Sequence, residues 1–288
     1  MPVPLTRFVF HTAAGYGCLT LKSSEVRQLY GPKIAPEKLS STGPKVCVGA
    51  GTGLGECYLT PSITGNYTCF PSEGGHVEYA PRNDTEIALF KYLSHKFASK
   101  QRISVERVVS GIGLANVYEF LAATNLKRIA ASVHAEFEAA GDEQGRVVAE
   151  NARAGTLCEQ AVHIMMAAYG CEVGSAAIKW IPTSGLFVTG GLTPKNIKYI
   201  DGPNTEFMKS YLNKGRVAKV LELIPLYAVM VEDLGVRGAH KAALMEYERL
   251  SGSITTKRSS ESILSNVYVW LAATAAVSFV AGRWASKM

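Results

Sequence analysis

The stretch VCVGAGTGLGECYLT, residues 46–60, sets Gly49, Gly51, Gly53 and Gly55 at alternate positions between two short apolar runs. Glycine lets a backbone turn sharply and bring its N–H groups close to an anion. A dinucleotide-binding fingerprint would require a helix directly after the glycines, because the helix N-terminus holds the pyrophosphate. Here ECYLT alternates as a strand does, and Pro61 and Gly65 cut off any helix. The expected layout is therefore strand, glycine turn, strand, with the Thr52 hydroxyl and neighbouring amides placed for a phosphate. A merely tight hairpin has the same appearance.

Around this hairpin, short apolar runs at 46–48, 58–60, 67–70, 186–189 and 226–231 alternate with helical patterns. In residues 84–98, Ile87, Phe90, Leu93 and Phe97 recur at spacings of three and four, and 149–180 reads as one long helix rich in Ala and Met. Such alternation predicts an α/β fold. With 47% hydrophobic and 19% charged residues over 288, the chain can bury a full core. Its formal charge of +6 is thinly spread, with Lys257, Arg258, Arg283 and Lys287 near the C-terminus, so no nucleic acid is expected as a partner.

Six cysteines form no C-x-x-C pair and no His-paired spacing, which predicts buried reduced thiols and no metal. The start, MPVPLTRFVF, has no apolar run long enough for a secretion signal, so the sequons at Asn66 and Asn83 read as chance. Residues 262–282 are 21 in number and uncharged, bounded by Glu261 and Arg283. That length crosses a bilayer as a helix, with Tyr268, Trp270 and Trp284 near the interfaces. A buried or amphipathic helix is the competing reading. Residues 251–261 have linker composition. The expectation is a single-pass C-terminal anchor in membrane lipid, with the preceding domain facing the cytosol.

Two further segments carry candidate chemistry. In FPSEGGHVEYAP, Glu73 and His76 flank two glycines; a carboxylate accepts from vicinal hydroxyls and an imidazole donates or accepts, which suits a polyol. A zinc site would need a third and fourth ligand at suitable spacing, and an ordinary loop histidine is the bland alternative. In SVERVVSGIGL, Glu106 follows Ser104, a candidate helix cap, and precedes a glycine-bounded helix start.

The order GAGTGLG, EGGHVEYAP, ERVVSGIGL, LFVTGGLTPKN, KGR and LGVRGAH resembles the bacterial-type glucokinase family over roughly residues 15–250. The resemblance implies the large lobe of an actin-like ATPase (ribonuclease H-like) fold, with a mixed sheet and flanking helices. It implies ATP and Mg²⁺ as cofactors and glucose or a related hexose as substrate. Glu73, His76 and Glu106 would hold the sugar. Gly49, Gly51, Thr52, Gly53 and Gly55 would face ATP phosphates, and Gly190 and Gly191 the adenosine side.

Two family features are missing from the 288 residues: a D-x-G-G-T-N first phosphate loop, and the Asn-Asp pair whose Asp is the general base. Aligning on AAGYG puts Val9 and Phe10 at that pair, with His11 beside it as a conceivable substitute. A positioned base contributes about 10² to 10⁴ in rate, so the sequence predicts either a shortened kinase or a poor one. Residues 1–45 then read as a remnant of the small lobe and crossover, and 46–250 as the large domain with its return helix. The alternative is a membrane-tethered, non-catalytic sugar- or nucleotide-binding module. Hexose preference and self-association are left open.

Overall fold

The computed structural model describes residues 10–62, 65–98 and 102–254. After helix α1 (Phe10–Cys18) come strands β1 (Val26–Tyr30), β2 (Lys45–Ala50), β3 (Leu54–Pro61) and β4 (Tyr67–Ser72). Helices α2 (Asp84–Lys96), α3 (Gly111–Thr124), α4 (Ala131–Ala139), α5 (Gln144–Glu150) and α6 (Leu157–Trp180) follow. The chain continues through β5 (Leu186–Thr189), α7 (Leu192–Lys195), α8 (Ile197–Ile200), α9 (Glu206–Leu212), β6 (Leu226–Val229) and α10 (Leu234–Ile254).

The strands make one mixed sheet in the order β1-β6-β5-β2-β3-β4. β2, β5 and β6 run parallel at its centre, whereas β3 and β4 continue from β2 as an antiparallel meander and β1 closes the other edge antiparallel to β6. The central strands are mostly apolar, as strands covered on both faces are: Val46, Val48, Leu186, Val188 and Leu226 are buried. One face packs against α3, α5, α6 and α9 around Leu114, Val117, Met165, Tyr169 and Phe207. The other is covered by α1 and α10, with Cys18, Cys47, Cys57, Phe187, Tyr227 and Leu234 between the layers. All six cysteines are free thiols, four of them buried.

The α/β prediction holds as a mixed sheet with flanking helices. Several boundaries differ from the sequence reading. Strand β1 was not predicted: Val-Arg-Gln-Leu-Tyr lacks an apolar run because it is an edge strand supported by β6 alone, and it brings part of residues 1–45 into the same sheet. The predicted helix 149–180 is two helices. Thr156 breaks it by accepting the Glu159 N–H on its hydroxyl at 3.1 Å, just after Gly155 at φ +82°. Helix α2 stops at Lys96, where Ala98 turns to φ +48°. Helix α10 runs to Ile254, four residues into the stretch read as linker; there the Ser251 hydroxyl donates back to the Glu248 carbonyl at 3.1 Å.

Helix α6 is, among the described residues, the one helix long and apolar enough to cross a membrane by length and composition. Its place between the sheet and α9, with 67% of that apolar window buried, makes it a core helix. The anchor expected at 262–282 lies outside the described residues.

Candidate functional site

The glycine stretch folds as the sequence predicted. β2 and β3 are joined by residues 51–53, with Ala50 opposite Leu54 as the last strand pair and the Gly51 N–H donating to the Gly53 carbonyl at 2.8 Å. Thr52 is exposed at the tip. Gly49 lies beside the Thr189 hydroxyl on β5, Gly53 beside the Glu106 carboxylate, and Gly55 under the His11 ring.

A second turn, at the end of β5, meets this hairpin. Gly190 adopts φ +83°, and a Cβ there would stand 2.2 Å from the Ala50 carbonyl oxygen, so only glycine fits. Buried Tyr169 of α6 ties the two strand ends together: its hydroxyl accepts the Ala50 N–H at 3.2 Å and lies 3.2 and 3.3 Å from the Val48 and Thr189 carbonyls. Space is open around both turns, since nothing lies within 4 Å of a Cβ built on Gly51 or on Gly191. Two backbone turns with free approach make a cradle that fits the phosphates of a nucleotide.

Glu73 and His76 bracket a short 3-10 turn, Gly74–His76. Both side chains are exposed, with the His76 Nε2 3.9 Å from the Glu73 Oε2. The turn is seated on β3, where a Cβ on Gly75 would stand 2.0 Å from the Leu54 carbonyl oxygen. Directly after it, residues 77–79 pair with 103–105. The Val105 N–H donates to the Val77 carbonyl at 2.9 Å, and the Tyr79 N–H to the Ile103 carbonyl at 2.7 Å. Glu78 and Ser104 form the bridge between them. Beyond this bridge both segments leave the extended conformation, and the 3-10 turns Gly74–His76 and Val105–Arg107, which carry His76 and Glu106, pack against each other.

Glu106 is half-buried and its Oε2 accepts the Leu54 N–H at 2.8 Å. Leu54 therefore contacts both segments, its N–H on Glu106 and its carbonyl on Gly75. The helix after Glu106 is capped by Ser110, not by Ser104 as the sequence suggested. Ser110 is fully buried and accepts the Gly113 N–H at 2.8 Å, while its hydroxyl donates to the Glu106 carbonyl at 2.8 Å. Ser104 precedes only a 3-10 turn and makes no side-chain cap. Gly111, first in α3, donates its N–H to the Gly51 carbonyl at 2.8 Å and so locks the helix onto the glycine hairpin.

Behind the site, Arg82 and Glu86 fix the chain that leaves the turn. Arg82 forks onto Glu86 at 3.0 and 2.5 Å, Glu86 also accepts the Tyr79 hydroxyl at 2.9 Å, and Arg82 reaches the Ser210 hydroxyl at 2.8 Å. Burial and the Glu86 charge push the Tyr79 phenol far above its ordinary range. The sequence did not single out this network, nor Tyr169 and Ser110. An Arg and a Glu four apart at a helix start was the available signal.

The sequence matches the glucokinase family over residues 10–246. The chain belongs to the glucokinase family. Among its relatives, the glucokinase of Synechocystis is 37% identical over 238 residues, covering 79% of this chain and 65% of its own. That of Nostoc punctiforme is 39% identical over 239 residues, covering 79% and 67%. The chain thus spans about two thirds of the length of the curated glucokinases it matches.

Solved glucokinases share the fold. One from an Antarctic psychrotroph superposes with a TM-score of 0.61 at 22% identity, over 80% of this chain and 66% of that one. The Balamuthia mandrillaris glucokinase, solved in complex with glucose, gives 0.64 at 20% identity, over 80% and 63%. Phe10, where the sequence reading placed the family's base position, is the first residue of α1; Val9 lies outside the described residues. Among the described residues no group of three or more His, Cys, Asp or Glu side chains is arranged to hold a metal ion. Among the described residues, two open concavities, one beside α3 and α4 and one beside the 201–206 loop, share no residue with the glycine turns or the Glu73–His76 turn.

Proposed function

We propose that this chain supplies the hexose-binding surface and one phosphate-binding surface of a glucokinase, which transfers the γ-phosphoryl group of ATP to the 6-hydroxyl of glucose. The observation that supports the reading is the pairing of 77–79 with 103–105, which packs the turns carrying His76 and Glu106 together beside the glycine hairpin. Carboxylates and an imidazole grouped this way accept from and donate to adjacent sugar hydroxyls. Glu73, His76 and Glu106 hold the hexose in this account.

Gly49, Gly51, Thr52, Gly53 and Gly55 face the nucleotide phosphates, and Gly190 and Gly191 its adenosine side. Phosphoryl transfer depends on positioning and electrostatic stabilisation more than on covalent chemistry by the protein, which suits a site built of backbone amides. Mg²⁺ bound through phosphates and few carboxylates needs no protein cage, in keeping with the site's residues. The general base and the first phosphate loop of the family are not encoded within the 288 residues.

Calorimetric titration of the protein with glucose tests the sugar site. Binding by the native chain that is lost in Glu73→Ala and Glu106→Ala is expected; equal, negligible heats for all three would refute the assignment. Reading the genomic sequence upstream of Met1 for an in-frame D-x-G-G-T-N and Asn-Asp pair tests the kinase reading.

Residues 262–282 complete the proposal as a membrane-spanning anchor, supported by 21 uncharged residues between Glu261 and Arg283. The protein should resist extraction by alkaline carbonate, and deletion from Ser262 onward should release it. Extraction of the intact chain would refute the anchor.

A further inference from the structure

Beneath the Glu73–His76 turn lie two carboxyl groups that the hexose site does not use directly. Glu56, on β3, is 6% exposed, and Glu172, on α6, is 7% exposed. Glu56 Oε2 presses on Gly74, where a Cβ would stand 2.0 Å from it, so this carboxyl is the floor on which the turn sits. Glu56 Oε1 and Glu172 Oε1 are both buried with no hydrogen-bond partner. A buried acceptor left unpaired costs about 1 to 3 kcal/mol, more when it carries charge, so two such atoms in one place call for a missing donor.

The surroundings supply only partial compensation. From α6, Lys179 Nζ lies 3.8 Å from Glu172 Oε1, beyond hydrogen-bond reach. Lys214, after α9, spends its ammonium on the Ser210 carbonyl at 3.0 Å and lies 4.0 Å from the Cys171 sulfur. Cys47 from β2 and Tyr169 from α6 are also near Glu56, neither of them cationic. Two like charges cannot both persist in such a site, whereas one proton between them turns an acceptor into a donor.

We infer that Glu56 and Glu172 hold one proton between them, and that this proton-bridged pair is what fixes the height and angle of the Glu73–His76 turn. Glu56 is thus a positioning residue for the hexose site, an inference that rests on the hexose reading above. Burial, then the Glu172 charge, push the Glu56 carboxyl up to about 8, and burial raises Glu172 as well. Around that pH the shared proton leaves, two negative charges face each other under Gly74, and the turn is pushed off β3. Glu56→Gln keeps a donor toward Glu172 at every pH and removes the titration.

The test compares native protein with Glu56→Gln at about pH 6.5 and about pH 9. Glucose titration is expected to show native affinity falling about tenfold between the two, with the variant unchanged. Hydrogen exchange of the 73–77 backbone, corrected for intrinsic rates, should be equal at the lower pH and at least about fivefold faster in the native protein at the higher. Infrared difference spectra of the native protein should show a protonated carboxyl band lost over the same interval, and Glu56→Gln should lack that loss. Absence of the band, or equal exchange in native and variant at the higher pH, would overturn the inference. Should no protein bind glucose at either pH, the hexose reading falls, and exchange and infrared still decide the pair.

Discussion

The backbone N–H of Val105 donates to the carbonyl of Val77 at 2.9 Å, and the 3-10 turns that carry His76 and Glu106 pack against each other at this junction. Two segments separated by helix α2 are thereby joined. Leu54 joins them to the glycine hairpin, because its N–H is held by Glu106 at 2.8 Å while its carbonyl lies under Gly75.

Glu106 holds the Leu54 N–H and, in the proposed reading, also the hexose, and its variants should separate the two. Glu106→Ala leaves the Leu54 N–H without its acceptor and should cost about 1 to 3 kcal/mol of stability as well as glucose binding. Glu106→Gln keeps a carbonyl acceptor for that N–H, so it should restore most of the stability but not the affinity. Urea unfolding and calorimetric titration of the two variants check the division.

The two glycines of the second turn should respond oppositely to one methyl group. Gly190→Ala must enter φ +83° and meet the Ala50 carbonyl, and should lose about 1 to 3 kcal/mol or more. Gly191→Ala sits at φ −62° in open space and should stay within about 0.5 kcal/mol of the native protein. Loss of nucleotide affinity in Gly191→Ala with stability intact would mark the open space as the ligand's, and thermal melts with nucleotide titration measure both.

Arg82→Met should be the most damaging change outside the site. It strips the fork from Glu86, whose side chain is 3% exposed, and removes the contact to Ser210. Breaking one side of a buried pair costs about 3 to 5 kcal/mol, and the urea midpoint should fall accordingly with little change in slope.

Lys45 predicts a pH dependence of stability. Its ammonium is buried, donates to the Ser184 carbonyl at 2.7 Å and lies 5.0 Å from the Tyr67 ring centre. Burial lowers it from 10.5 to about 8. Between those values the unfolded chain binds more protons than the folded one, so folded stability gains as pH rises from about 8 to about 10.5. Thermal melts should show the native protein gaining on Lys45→Met across that window and not below it.

The glycine hairpin was legible in the sequence because Pro61 and Gly65 forbid the helix that a dinucleotide site needs, leaving a strand as the continuation. Glu73, His76 and Glu106 were legible as residue types beside glycines, and the central strands as apolar runs. The break before α6 was not, since a capping Thr156 looks like any threonine until its hydroxyl meets the Glu159 N–H.

By itself, then, the sequence determined the elements whose signal is local: hairpin, apolar strands, and the order of candidate ligands along the chain. Only the tertiary structure decided which of them meet. The pairing of Val77 with Val105, the edge strand β1 against β6, and Glu56 facing Glu172 join residues far apart in the chain. Local propensity carries no information about such partners, because the free energy that selects them comes from burying whole elements together.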